Sequence, residues 1–197
     1  MSTFEQDTTL IWESYESEDY SDVDNKFYTD NNIDPDTLSY AGEGNFGEAF
    51  IIDDGSNRVM KKTTSDSELK YAKILMESPN PYFVKIYFAD TIGSDIIIIM
   101  EELDIDSDIE DLWYRVNSLL ETIDTSISEI QYVDIDSDIE EEIPEDIIKF
   151  IDELQSIMSA AQGIAGMSAD VRPENLGYSK EDGSLKMFDL DDRGGMF

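Results

Sequence analysis

Asp170 and Asn175, with Val-Arg-Pro-Glu between them, form a loop whose side chains suit a hydroxyl and a metal–nucleotide. A carboxylate at Asp170 can accept a hydroxyl proton, and the amide oxygen of Asn175 can ligate a hard cation. Further along, Lys186-Met-Phe-Asp189 reads as a short apolar strand ending in a second acid. Near the front, Gly42-Glu-Gly44-Asn45-Phe46-Gly47-Glu-Ala spaces its glycines so that the backbone can approach phosphates closely. Val59-Met-Lys61-Lys62 follows, a lysine pair in a chain where bases are scarce. Each motif alone is unspecific. In this order they are the parts that phosphoryl transfer requires.

The elements that must position these groups are legible around them. Leu38-Ser-Tyr-Ala runs as a strand into the glycine loop, Glu48-Ala-Phe-Ile-Ile leaves it, and Asp53 to Asn57 is a hairpin turn. Arg58 to Thr63 is the next strand. A helix follows from Ser65 or Asp66, either a suitable N-cap, through Met76, and Pro79 and Pro81 end it. Tyr82 to Asp90 and Ile96 to Met100 read as two more strands. The sum is a five-stranded antiparallel sheet with one inserted helix, an α+β fold. Leu112, Val116, Leu119, Leu120 and Ile123 recur at helical spacing. Pro144 opens a further helix through Ile147, Phe150, Ile151, Leu154, Ile157 and Met158, read as core.

Three divisions are expected. Residues 1–38 are an acid-rich arm dotted with Trp12, Tyr15, Tyr20, Phe27 and Tyr28, either a disordered leader or an arm that docks on a basic partner. Residues 39–103 form the sheet domain, and residues 104–197 a reduced helical region with an acidic insertion. That insertion holds a repeat, since Asp104-Ile-Asp-Ser-Asp-Ile-Glu110 recurs as Asp134-Ile-Asp-Ser-Asp-Ile-Glu140. It lacks the glycine and the span of an EF-hand calcium loop. The other readings are solvated acidic helix starts and a phosphate-mimicking surface.

Composition sets outer bounds. Forty-seven acids against thirteen bases leave a net charge of -34 over 197 residues, which repels nucleic-acid phosphates and anionic membranes and attracts basic surfaces. With no cysteine and no histidine, thiolate and histidine-triad catalysis are excluded, and any metal site must use carboxylate and amide oxygens. That suits magnesium or calcium. The N-terminus lacks a basic region followed by an apolar core, and the longest apolar run, Ile96 to Met100, is too short to span a bilayer. A cytoplasmic protein is the expectation.

From about residue 38 onward the chain resembles the protein kinase-like superfamily. Gly42, Gly44 and Gly47, with Asn45 and Phe46 at the tip, match its glycine-rich loop, and no helix opens directly after them as one does in dinucleotide-binding folds. Lys61 stands where the family holds the α and β phosphates of ATP, with Lys62 the runner-up. Its helix partner is Glu68, with Glu77 the alternative. Ile96 to Leu103 resembles the final strand and hinge. The resemblance implies that Met100 gates the pocket behind the adenine, and that the Glu101 carbonyl and Leu103 amide bond the base. Asp170-Val-Arg172-Pro-Glu-Asn175-Leu is the most specific match, to the catalytic loop. It implies that Asp170 orients the acceptor hydroxyl, Arg172 meets the γ-phosphate in place of a lysine, and Asn175 and Asp189 ligate Mg2+.

The chain also departs from the family. Ser168-Ala169 replaces the His-Arg before the catalytic acid, which removes the grip on a phosphorylated activation loop. Asp189-Leu-Asp191 lacks the usual glycine, and the chain reaches Phe197 soon after, leaving no room for the platform that binds peptide substrates. The layout is nearest to compact phage-type kinases. A viral origin is expected from that layout and the acidity, and the expected activity is ATP- and magnesium-dependent phosphorylation of Ser/Thr on a basic protein, such as a host nucleic-acid-binding protein, in the cytoplasm, that of the host if the protein is viral. The alternatives are an inactive kinase-like acidic decoy that occupies a nucleic-acid groove, and a kinase for a small molecule.

Overall fold

The computed structural model describes residues 25–44, 47–105, 108–134, 143–164, 167 and 170–190. The chain enters through α1 (Asn25–Asp30) and forms β1 (Leu38–Gly44), β2 (Gly47–Ile52) and β3 (Arg58–Thr63). Helix α2 (Asp66–Glu77) follows, then β4 (Ile86–Ile92), β5 (Asp95–Glu101) and the short β6 (Leu103–Asp104). Next come α3 (Asp108–Thr122), α4 (Glu145–Gly163), β7 (Leu176–Ser179) and β8 (Leu185–Met187). The first five strands make one antiparallel sheet in the order β1-β2-β3-β5-β4, and β6-β7-β8 make a second, three-stranded sheet. The fold is thus α+β, with the sheet and inserted helix that the sequence predicts.

Local chemistry explains the elements. Between β2 and β3 the Asp54 carboxylate accepts from the Ser56 N–H at 2.9 Å, and Gly55 and Asn57 take the positive φ of a tight turn. Ser65 caps α2 by accepting from the Glu68 N–H, and its partner three residues on sits at the head of the buried stripe Glu68, Tyr71, Ala72, Leu75. Of the described acids of the first repeat copy, Asp104 ends β6, while Asp108 and Glu110 lie in the first turn of α3, where the helix dipole favours them. The second copy lies almost wholly outside the described residues.

Both faces of the large sheet are covered. On one, α2 packs over Ile96, Ile98 and Met100, and the same core continues down through Val116, Leu120, Phe150, Ile151 and Leu154 of α3 and α4. On the other, Phe27, Tyr28 and Ile33 pack against Phe50, Ile52, Met60, Ile97 and Ile99. Phe27 and Tyr28, which the sequence reading placed in the acidic arm, are thus core residues of the sheet, and residues 1–24 of that arm lie outside the described residues. β4 also starts later than expected. Residues Tyr82 to Val84 are taken by the second sheet instead, where Val84 N–H donates to Met187 O at 2.9 Å and Met187 N–H to Tyr82 O at 3.1 Å. Among the described residues no helix is long and apolar enough to cross a membrane.

Candidate functional site

Lys61 is aligned across the sheet with Ala49 on β2 and Ile98 on β5, and the next row on the same face is Ile51, Val59, Met100. This is the face that α2 covers. Lys61 Nζ forms an ion pair with Glu68 Oε1 and lies 3.8 Å from Asp189 Oδ1. Glu68 is 2% exposed, and its Oε2 is buried with no hydrogen-bond partner among the described residues. Burial raises the Glu68 carboxyl above its ordinary value, opposed by the Lys61 charge and reinforced by Asp189. The two alternatives fall elsewhere. Lys62 turns to the opposite face, 3.0 Å from Asp95, and Glu77 is exposed at the end of α2.

The loop before β7 lies against this cluster. Arg172 closes on Asp170 with both arms, Nε donating to Oδ1 at 2.7 Å and Nη2 donating to Oδ2. That contact, reinforced by Glu174 and Asp189, holds the guanidinium still more firmly protonated. Asn175 is 8% exposed, and its Nδ2 donates to the Asp170 carbonyl at 2.8 Å. The amide nitrogen is thereby committed inward, and Oδ1 is the atom left to face a cation. The Asn175 carbonyl accepts from the Phe188 N–H at 3.0 Å, which ties the loop to the residue before Asp189. Lys61, Glu68, Asp170, Arg172, Asn175 and Asp189 therefore meet, although the last lies over a hundred positions from the first.

The remaining predicted residues divide. Gly42, Gly44 and Gly47 lie in the β1–β2 hairpin, where Gly44 pairs with Gly47. Asn45 and Phe46 fall outside the described residues. A Cβ on Gly47 would run into the Lys62 carbonyl, so β2 can approach β3 there only without a side chain. Met100 is buried on the Lys61 face, and Leu103 pairs with Ser179 of β7. The Glu101 carboxylate, unassigned by sequence reasoning, is buried against Lys186 at 2.8 Å. A lysine inside the apolar strand Leu185-Lys-Met was the available signal for it.

The donor set fits magnesium with a nucleotide. One carboxylate and one amide oxygen suffice when phosphates and water supply the other ligands, as this cation prefers. Among the described residues no cluster of three or more acids is arranged to hold a metal by itself. A surface groove of about 790 Å³, flanked by Tyr82, Tyr132 and Gln155, shares no residue with the cluster. Among the described residues its only charged lining group is Asp152. No protein-family model matches the chain, and no curated protein matches it either.

Proposed function

We propose that the protein is a compact protein kinase that transfers the γ-phosphoryl group of ATP, with magnesium, to Ser/Thr of a basic protein. The observation that carries this is the Lys61–Glu68 ion pair beside Asp189. A strand lysine held by a helix glutamate, next to a metal-binding acid, is the arrangement that kinase chemistry requires. Five antiparallel strands with one helix between the third and fourth agree with the same reading.

The roles follow from placement. Glu68 holds Lys61 so that its ammonium faces the phosphates, and the Gly42–Gly47 hairpin covers them with backbone. Met100 and Val59 line the base pocket, and the Glu101 carbonyl and Leu103 amide bond the base edge. Asn175 Oδ1 and the Asp189 carboxylate hold magnesium, which when bound neutralises charge building on the phosphates. Asp170 accepts the acceptor hydroxyl's proton. Arg172 donates to both Asp170 oxygens, each of which keeps a second lone pair that can accept from that hydroxyl. Its side chain is 45% exposed and can turn toward the γ-phosphate.

The acceptor class rests on charge. A net of -34 favours encounter with basic proteins and disfavours nucleic acid. The same charge supports a second reading, a binding protein that occupies a basic nucleic-acid groove without catalysis. γ-Labelled ATP, magnesium and a basic protein acceptor separate the two. Label transfer that disappears in Asp189→Asn establishes the kinase. No transfer and no thermal shift with magnesium ATP, together with salt-sensitive capture of basic proteins, favours the decoy.

A further inference from the structure

Glu101 ends β5, and its side chain is 2% exposed. Three donors from three segments converge on its carboxylate. Lys186 Nζ, on β8, lies 2.8 Å from Oε2. The Lys85 N–H, just before β4, donates to the same oxygen at 3.3 Å. The Ser179 hydroxyl, at the end of β7, donates to Oε1. Lys186 is itself 8% exposed. A buried ion pair adds little net stability over an apolar pair of similar volume, because desolvation offsets the attraction. What a carboxylate held by three donors does supply is a fixed geometry between the segments that carry them.

Here those segments are the two sides of the cleft. Met100 faces the Lys61 side of the sheet, so strand alternation sends the Glu101 side chain the opposite way. Its carboxylate therefore anchors the backbone of 101–103 from behind. Lys186 belongs to the strand that delivers Asp189, and that strand is also bonded to residues 82–84 through Met187. We propose that Lys186, through Glu101, is a positioning residue that sets the spacing between the base-contacting edge and Asp189, and so governs nucleotide affinity. This rests on the kinase reading above.

The probe is magnesium ADP, titrated calorimetrically into the full chain, which needs no acceptor. Lys186→Met alone leaves the Glu101 charge buried and unpaired, so K186M/E101L, which replaces the pair with apolar side chains, is the main variant. Ser179→Ala deletes one of the three donors to Glu101, along with an acceptor that the Glu181 N–H uses at 3.2 Å. Lys180→Met is the control, because Lys180 and Glu102 form a neighbouring pair at 2.6 Å that is partly exposed. The expected result is a folded double variant that binds ADP about tenfold more weakly. Ser179→Ala should show a smaller loss and Lys180→Met none beyond about twofold. In turnover, KM for ATP should rise by a larger factor than kcat falls, a split that general loosening of the fold does not produce. Wild-type affinity in a folded double variant, or in Ser179→Ala where the double variant does not fold, overturns the joint and leaves the kinase reading standing. Absence of ADP binding to the wild-type chain overturns both.

Discussion

Glu68 shows a conflict between stability and function within one side chain. It lies on the buried stripe of α2 among Tyr71, Ala72 and Leu75, a position suited to an apolar residue, and its carboxyl is raised above the ordinary glutamate value chiefly by burial. A raised carboxyl binds its proton more tightly in the folded chain than in the unfolded one. Its contribution is therefore favourable at low pH and is lost as pH rises from the ordinary value through the folded one. Glu68→Gln removes that titration. The expected outcome is a melting temperature at neutral pH no lower than wild type, with a flatter pH profile on the alkaline side of the ordinary glutamate range. Phosphoryl transfer should fall at least about tenfold, because Lys61 loses its holder. Thermal melts across pH, paired with the label assay, test both halves. A lowered melting temperature would show that the Lys61 attraction outweighs desolvation.

At the level of elements, α2 is the part whose placement matters most, since it brings Glu68 to Lys61. Ser65 fixes where it begins, accepting from the Glu68 N–H and packing at the end of β3. Ser65→Ala leaves that N–H without its cap and is expected to lower stability by about 1 kcal/mol. For a chain of this size that shifts the melting temperature by roughly 2–4 °C. Urea unfolding should show the loss as a lower midpoint with unchanged slope, since the unfolding surface is the same. An unchanged midpoint would mean that solvent or Ser67, 2.9 Å away, replaces the cap. The Ser-x-x-Glu spacing resembles a reciprocal capping box, but the Glu68 carboxylate goes to Lys61 on β3 instead.

The whole molecule is a sheet sealed on both sides and carrying an unusual charge. Phe27 is 5% exposed and meets Tyr28 and Phe88 edge-on at ring-centroid distances of 5.4 and 5.2 Å. Phe27→Ala is expected to lower stability by about 3–5 kcal/mol, measurable as a displaced urea midpoint. A loss under about 1 kcal/mol would mean that α1 is not part of the sheet's core. The net charge of -34 leaves acids far in excess of the basic residues that could pair with them. Raising salt from low concentration to about 0.3 M should raise the melting temperature, because screening relieves self-repulsion. The same change should weaken association with a basic acceptor. Opposite signs for the two are the expected signature, and a melting temperature that falls with salt would contradict it.

Much of this was legible along the chain, because the determining forces are local. Alternation and turn chemistry mark β1 to β3, the Ser65 cap and the 68-71-72-75 stripe mark α2, and the stripe from Ile147 to Ala161 marks α4. Residue types also limited the chemistry, since a chain with neither cysteine nor histidine has only oxygen ligands and lysine or arginine cations to work with. Three matters belonged to tertiary structure alone. The sequence put Lys61 ahead of Lys62, but what holds each was decided by which sheet face α2 covers, because adjacent strand residues point opposite ways. Phe27 and Tyr28 became core because a sheet with two apolar faces needs a second cover, and no local pattern within an acidic segment announces that role. The Glu101–Lys186 joint spans 85 positions, and a buried charge pair has no periodicity to reveal it. Its energy depends on desolvation and on three converging donors, which exist only once the two sheets have met.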